Sequence, residues 1–220
     1  GSDEMKRFED DMGRLLETTR DLGSLVCSTI DGSVRAFCER DTDLAREMAE
    51  RYQRISDLHS VLEEDTLRIL TLYQPTAVDM RTVATVLKAI TYLERIGKYS
   101  KKIAKATIFL SDDISAEGME GIPEMGSVAV RMVKLAVGSL IDGDTSGLDE
   151  ISQQEHFLDT LRNSVIRRNT ELLRDCPAAA DVLMRYMSVS RYLERVGDNS
   201  CDIAEKVAYM VTGRHVEIGA

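Results

Sequence analysis

Glu194, Asp198 and Asp202 stand at i, i+4 and i+8. On a helix, residues four apart are surface neighbours, with about 5–6 Å between their Cβ atoms. The three carboxylates therefore form one slightly slanting acidic ridge. Glu155 and Asp159 repeat the i, i+4 spacing earlier in the chain. If the two helices that carry them are antiparallel neighbours, two acidic pairs face each other. Facing carboxylates supply oxygen donors that suit hard or borderline cations such as magnesium, manganese, iron or zinc. Like charges at this spacing repel by a few tenths of a kcal/mol, and solvent, arginines or a metal ion can offset that. A solvated acidic face is the alternative, because acidic pairs on helices are common. Cys201, three residues after Asp198, borders the same stretch.

Other chemistries find little support. His59, His156 and His215 do not cluster in sequence. His156 directly follows Glu155 and so points about 100° away from it on a helix. The Glu-x-x-His pairs of ferritin-like di-iron bundles are missing. There is no Ser/His/Asp set, Walker loop or Gly-rich dinucleotide turn. Cys27, Cys38, Cys176 and Cys201 form no CxxC pair, which favours reduced thiols in a cytosolic protein. A net charge of −10 lacks the basic stripe a nucleic-acid binder needs. No apolar run is long enough to span a bilayer, and no signal peptide opens the chain. Gly1-Ser2 reads as a remnant of expression-vector sequence. The stretch from Ser127 to Ile141 places Arg131 and Lys134 among valines and leucines. It is short and weakly basic, so bundle core is favoured there over contact with a membrane surface.

Helices must position these groups, and composition agrees: Trp is absent and Pro occurs three times in 220 residues, while good helix formers dominate. The 3.6-residue period predicts six helices. The first runs from about Met5 to Glu39, weakened locally by Gly13, Gly23 and Gly32. Asp41-Thr42 caps a second, which extends to about Leu72 before Gln74-Pro75 breaks it. A third spans about Thr76 to Leu110. A linker rich in Asp and Gly follows. Then come a fourth helix over about Glu124–Ile141, a fifth over about Leu148–Arg174, and a sixth over about Ala178–Thr212, ending at Gly213. Short turns favour antiparallel packing of successive helices.

The halves repeat. Tyr92-Leu93-Glu94-Arg95-Ile96-Gly97 returns one hundred residues later as Tyr192-Leu193-Glu194-Arg195-Val196-Gly197. Asp41-Thr42 aligns with Asp144-Thr145, Pro75 with Pro177, and Ile103-Ala104 with Ile203-Ala204. The expected architecture is all-α: two tandem antiparallel three-helix bundles, residues 5–111 and 122–214, joined by a linker at 112–121. Each half can bury its own core, and the two can stack as quasi-equivalent units. Gly97 and Gly197 lie mid-helix, where glycine costs about 1 kcal/mol against alanine, so their recurrence suggests close approach of a neighbouring helix. The first half lacks the acidic set. Tyr52 and Ser56 stand where the second half has Glu155 and Asp159, and Lys98 replaces Asp198. Only Glu94 survives, and Lys98 can pair with it at i, i+4 without any ion.

Tyr192 to Glu205, reading YLERVGDNSCDIAE, resembles the signature of the PhoU phosphate-signalling family. Gln74 to Arg81, reading QPTAVDMR, resembles the motif that opens the family's third helix, and Asp41-Thr42-Asp43-Leu44-Ala45 fits the same pattern. The likeness spans nearly the whole chain, and two tandem three-helix units match the family architecture. It implies a cytoplasmic, often dimeric, negative regulator of phosphate uptake that is not an enzyme. Its implied partners are the ATPase of a phosphate ABC transporter or a sensor kinase, with at most peripheral membrane association. It also implies divalent or iron/zinc-type metal ions at Glu/Asp-xxx-Asp motifs. These fall on Glu155, Asp159, Glu194 and Asp198, with Asp202 an extra oxygen donor where the family usually has Asn. Tyr52, Ser56 and Lys98 break the motif around Glu94 in the first half. A metal-binding or redox bundle using the second-half carboxylates is the alternative reading.

Overall fold

The computed structural model describes residues 1–110 and 117–219. Six long helices build it: α1 (Ser2–Glu39), α2 (Thr42–Tyr73), α3 (Ala77–Ile108), α4 (Ile122–Asp142), α5 (Leu148–Asp175) and α6 (Ala180–Thr212). The expected linker falls partly at 112–116, outside the described residues. Its far end is pinned: the buried Asn169 side chain donates to the Gly118 carbonyl at 2.9 Å.

Local chemistry sets the boundaries. The Asp41 carboxylate accepts from the Leu44 amide at 3.0 Å and caps α2, satisfying one of the orphan donors at a helix start. Pro75 follows Gln74, whose φ of 46° closes α2. Pro123 stands within the first turn of α4, where its missing N–H costs nothing. Asp144 does not repeat the role of Asp41. Its carboxylate holds the Ser146 amide at 2.9 Å in a turn ahead of α5. A single 3-10 turn, Pro177–Ala179, delays α6 to Ala180.

The apolar stripes of all six helices meet in one continuous core. Each buried Val, Leu, Ile or Phe in it stabilises the fold by about 1.5–3 kcal/mol. Each half is a three-helix bundle, but the halves do not keep separate interiors: α1 packs on α4 and α3 on α6. Ser127 to Ile141 lies within this junction, with Val130, Val133 and Leu140 buried. At the α1/α4 seam the repeats exchange small and branched residues. A Cβ at Gly126 would lie 2.9 Å from Val34 Cγ1, and one at Gly23 would lie 3.0 Å from Val137 Cγ1. The two contacts are related by one offset of 103 residues, so a local two-fold axis passes between the repeats. Phe37 of α1 and Tyr186 of α6 meet edge to face at 5.8 Å across the same junction.

Candidate functional site

The α5 and α6 helices of the second bundle pack side by side, which brings the acidic residues of both into one cleft. Glu155 is buried, at 4% exposure. Its carboxyl is pushed up to about 7 by burial first, then by the charges of Asp198 and Asp159. Glu194 is also raised, chiefly by burial, against the opposing pull of Arg162. Arg162 Nε approaches Glu194 Oε2 to 2.7 Å, an ion contact set off the N–H axis. Asp198 pairs with Arg195 at 3.2 Å. Cys201 Sγ lies 3.6 Å from Glu155 Oε2, and burial pushes its thiol well above the usual range.

The spacing thus brings Glu155, Asp159, Glu194 and Asp198 together. Asp202 sits at the edge: its charged neighbours are Glu205, Asp198 and Lys206 of its own helix and Arg95 of α3, so it looks toward α3 and has none of those neighbours on α5. The histidines stay apart. His59 neighbours Glu63 at 3.8 Å, His156 is exposed, and His215 stacks on Tyr209 at 4.3 Å.

Two components escaped the sequence reading. Arg162 is one; it follows Glu155 and Asp159 at i+7 and i+3, so the helical period carried its signal. The other is the segment after α6, which folds back over the cleft. The Ile218 amide donates to Glu205 Oε1 at 2.7 Å. Gly219, at φ +80°, covers the acid: a Cβ there would lie 3.1 Å from Glu155 Cγ and 3.4 Å from Cys201 Sγ. Nothing in the composition of that segment marks it as a cover.

The first bundle replaces the cleft with neutral and paired groups. Tyr52 donates its hydroxyl to Glu94 Oε1, and Lys98 Nζ lies 3.4 Å from the same oxygen. Burial and the Glu94 carboxylate push the Tyr52 hydroxyl up to about 12, with Ser56 pulling weakly the other way. The pairing of Glu94 with Lys98 expected from their spacing is present. The equivalence of the halves extends to the glycines. A Cβ at Gly97 would meet Ile55 Cγ2 at 3.0 Å and Tyr52 Cδ2 at 3.6 Å, while one at Gly197 would meet Leu158 Cδ2 at 2.6 Å and Glu155 Oε2 at 2.9 Å. Both glycines therefore admit a neighbouring helix. Gly197→Ala is expected to destabilise by about 1–2 kcal/mol, because overpacking outweighs the helix-propensity gain. Gly97→Ala, with more room, is expected to be closer to neutral. Urea unfolding of the two variants checks this, and equal shifts would count against it.

The donor set fits a hard cation in its chemistry. All four acids offer oxygen, and Glu155 and Asp159 have no cationic partner within ion-pair distance among the described residues. The arrangement is not a preformed cage: among the described residues no three His, Cys, Asp or Glu side chains converge as a metal site. Arg162 and Arg195 hold Glu194 and Asp198 in this state, so uptake of an ion requires side-chain rotation.

Comparison with known proteins agrees with this architecture. The chain matches the PhoU domain family twice, over residues 19–107 and 122–207. It is 25% identical over 214 residues to a phosphate-specific transport system accessory protein PhoU homolog of Clostridium acetobutylicum, covering 97% of this chain and 98% of that one. The Pseudomonas aeruginosa homolog of the same name is 29% identical, covering 89% and 81%. The crystal structure of PhoU from Pseudomonas aeruginosa superposes with a TM-score of 0.89 at 27% identity, over 94% of this chain and all of that one. The phosphate transport system regulatory protein PhoU from Streptococcus pneumoniae gives 0.89 at 25% identity, over 96% and 100%.

Proposed function

The chain belongs to the PhoU family, and from that premise we propose that it regulates phosphate uptake or phosphate signalling through protein contacts rather than by catalysis. The observation that carries this is the full-length likeness, through both repeats, to proteins named as accessory or regulatory components of phosphate transport. Its partners on this reading are the ATPase of a phosphate ABC transporter or a sensor kinase. It works in the cytoplasm as a homodimer and touches the membrane at most through those partners. Among the described residues no helix is long and apolar enough to cross a membrane. Affinity capture of the full chain against a phosphate-transporter ATPase and a cognate kinase tests the proposal. Retention of either supports it, and retention of neither overturns it.

A second role is favoured by the buried, uncompensated Glu155. Glu155, Asp159, Glu194 and Asp198, with Asp202 at the edge, would hold a divalent or iron/zinc-type cation. The ion would supply the positive charge that Glu155 and Asp159 lack. The chain's own contribution is to keep four carboxylates in a partly dry cleft under the segment that follows α6. Replacing Asp198 by Asn together with Glu194 by Gln is expected to abolish bound metal, measured by elemental analysis after anaerobic purification. Glu94→Gln is expected to leave metal content unchanged, because Lys98 and Tyr52 already satisfy that carboxylate. Metal lost from the Glu94 variant would move the site.

A further inference from the structure

The α3/α6 seam holds a polar cavity of opposite charge to the acidic cleft, which it meets at Arg195. It has a volume of about 300 Å³ and is lined by Tyr99 and Lys102 of α3 and by Ser188, Arg191, Tyr192 and Arg195 of α6. Three cations therefore gather on a chain whose net charge is −10. Arg195 is partly neutralised by Asp198, 3.2 Å away. Lys102 and Arg191 have no carboxylate within ion-pair distance among the described residues. Lys102 instead rests over the Tyr99 and Tyr192 rings, at 5.4 and 5.7 Å from their centroids. The rings themselves stand 6.2 Å apart across the seam.

The duplication supplies an internal comparison. Tyr99 meets Tyr192, and Arg81 Nε donates to the Met210 carbonyl at 3.4 Å, so α3 and α6 run antiparallel about the local two-fold. Adding or subtracting one hundred carries the cavity's residues onto Asn199, Asp202, Lys88, Thr91, Tyr92 and Arg95. On that side Asp202 takes the place of Lys102, Thr91 the place of Arg191, and Asp202 balances Arg95. One side of the seam is thus self-neutralised, and the other has exchanged an acid for Lys102 and gained Arg191.

We propose that the cavity lined by Lys102, Arg191 and Arg195 binds a multiply charged tetrahedral oxyanion, either free phosphate or the phosphoryl group of a small solute. Guanidinium groups match two oxygens of such an anion, an ammonium adds a point charge, and Ser188 with the two tyrosines offers hydroxyl donors. A cluster of this kind, compensated only at Arg195, is also where an acidic protein focuses attraction for an anion.

Calorimetric titration of the full chain, with chelator present and ionic strength fixed, tests this with inorganic phosphate, phosphoserine and sodium chloride as probes. Saturable heat with phosphate assigns the free anion. Saturable heat with phosphoserine alone assigns a phosphoryl group on a larger solute. Lys102→Asp and Arg191→Thr install the residues of the neutralised side, and each is expected to weaken binding by about tenfold or more. Lys105→Asp makes the same charge change elsewhere on α3 and is expected to leave affinity within about twofold. Heat no different from chloride, or an equal loss with Lys105→Asp, would overturn the proposal.

Discussion

Replacing Phe37 by alanine is expected to destabilise the entire chain by about 3–5 kcal/mol, the range for emptying a buried aromatic site. Phe37 is fully buried in the first repeat and meets Tyr186 of the second edge to face at 5.8 Å. The lost area and the cavity fall at the junction of the bundles, so neither half can relax independently. For a chain of this size the loss lowers the melting temperature by roughly 6–20 °C. Because one continuous core joins all six helices, calorimetry is expected to record a single transition for wild type and variant alike. Two resolved transitions, with only the first shifted, would mean that the repeats fold as separate units.

That expectation differs from the one the repeats alone suggest, and the difference has a physical origin. Helix count, order and approximate ends follow from periodicity, proline and capping chemistry, all of which are local. Whether two bundles share an interior depends on which faces remain apolar after each closes. Gly23 carries part of that information but reads in the sequence only as a weak point in a long helix, and Gly126 has no distinct signal there. Their pairing with Val137 and Val34 emerges once α1 and α4 are seen to pack antiparallel. The site divides in the same way. The spacing of Glu155, Asp159, Glu194 and Asp198 placed four acids in one cleft, and the divergence at Tyr52, Ser56 and Lys98 predicted its loss in the first half. The fold of residues 213–219 back over Glu155 is tertiary. It rests on one backbone bond from Ile218 and close packing at Gly219, neither of which has a periodic signature.

The buried acid gives the protein a distinctive response to pH. With metal removed by chelator, stability is expected to fall as the solution is taken from about pH 5 to pH 8. Burial, Asp198 and Asp159 raise the Glu155 carboxyl from its ordinary 4.5 to about 7. A raised folded-state value means the native protein holds a proton that the unfolded chain has already released. That contribution is complete below about pH 4.5 and is lost as pH rises through about 7. Its size is on the order of 1–3 kcal/mol, and Glu194 and Asp202, both raised mainly by burial, push in the same direction. Glu155→Gln keeps the shape and removes the charge that must otherwise develop beside Asp198 and Asp159. Its urea midpoint is expected to vary less between pH 5 and 8 than that of wild type, and to exceed it at pH 8. Parallel curves for the two proteins would show that Glu155 ionises freely and that the cleft is wetter than its burial indicates. The same experiment with a divalent cation added separates the two ways of balancing the charge. An ion that binds the cleft stabilises the wild type most at high pH, where the carboxylates are bare. The same ion has less effect on the glutamine variant, which offers one anionic donor fewer.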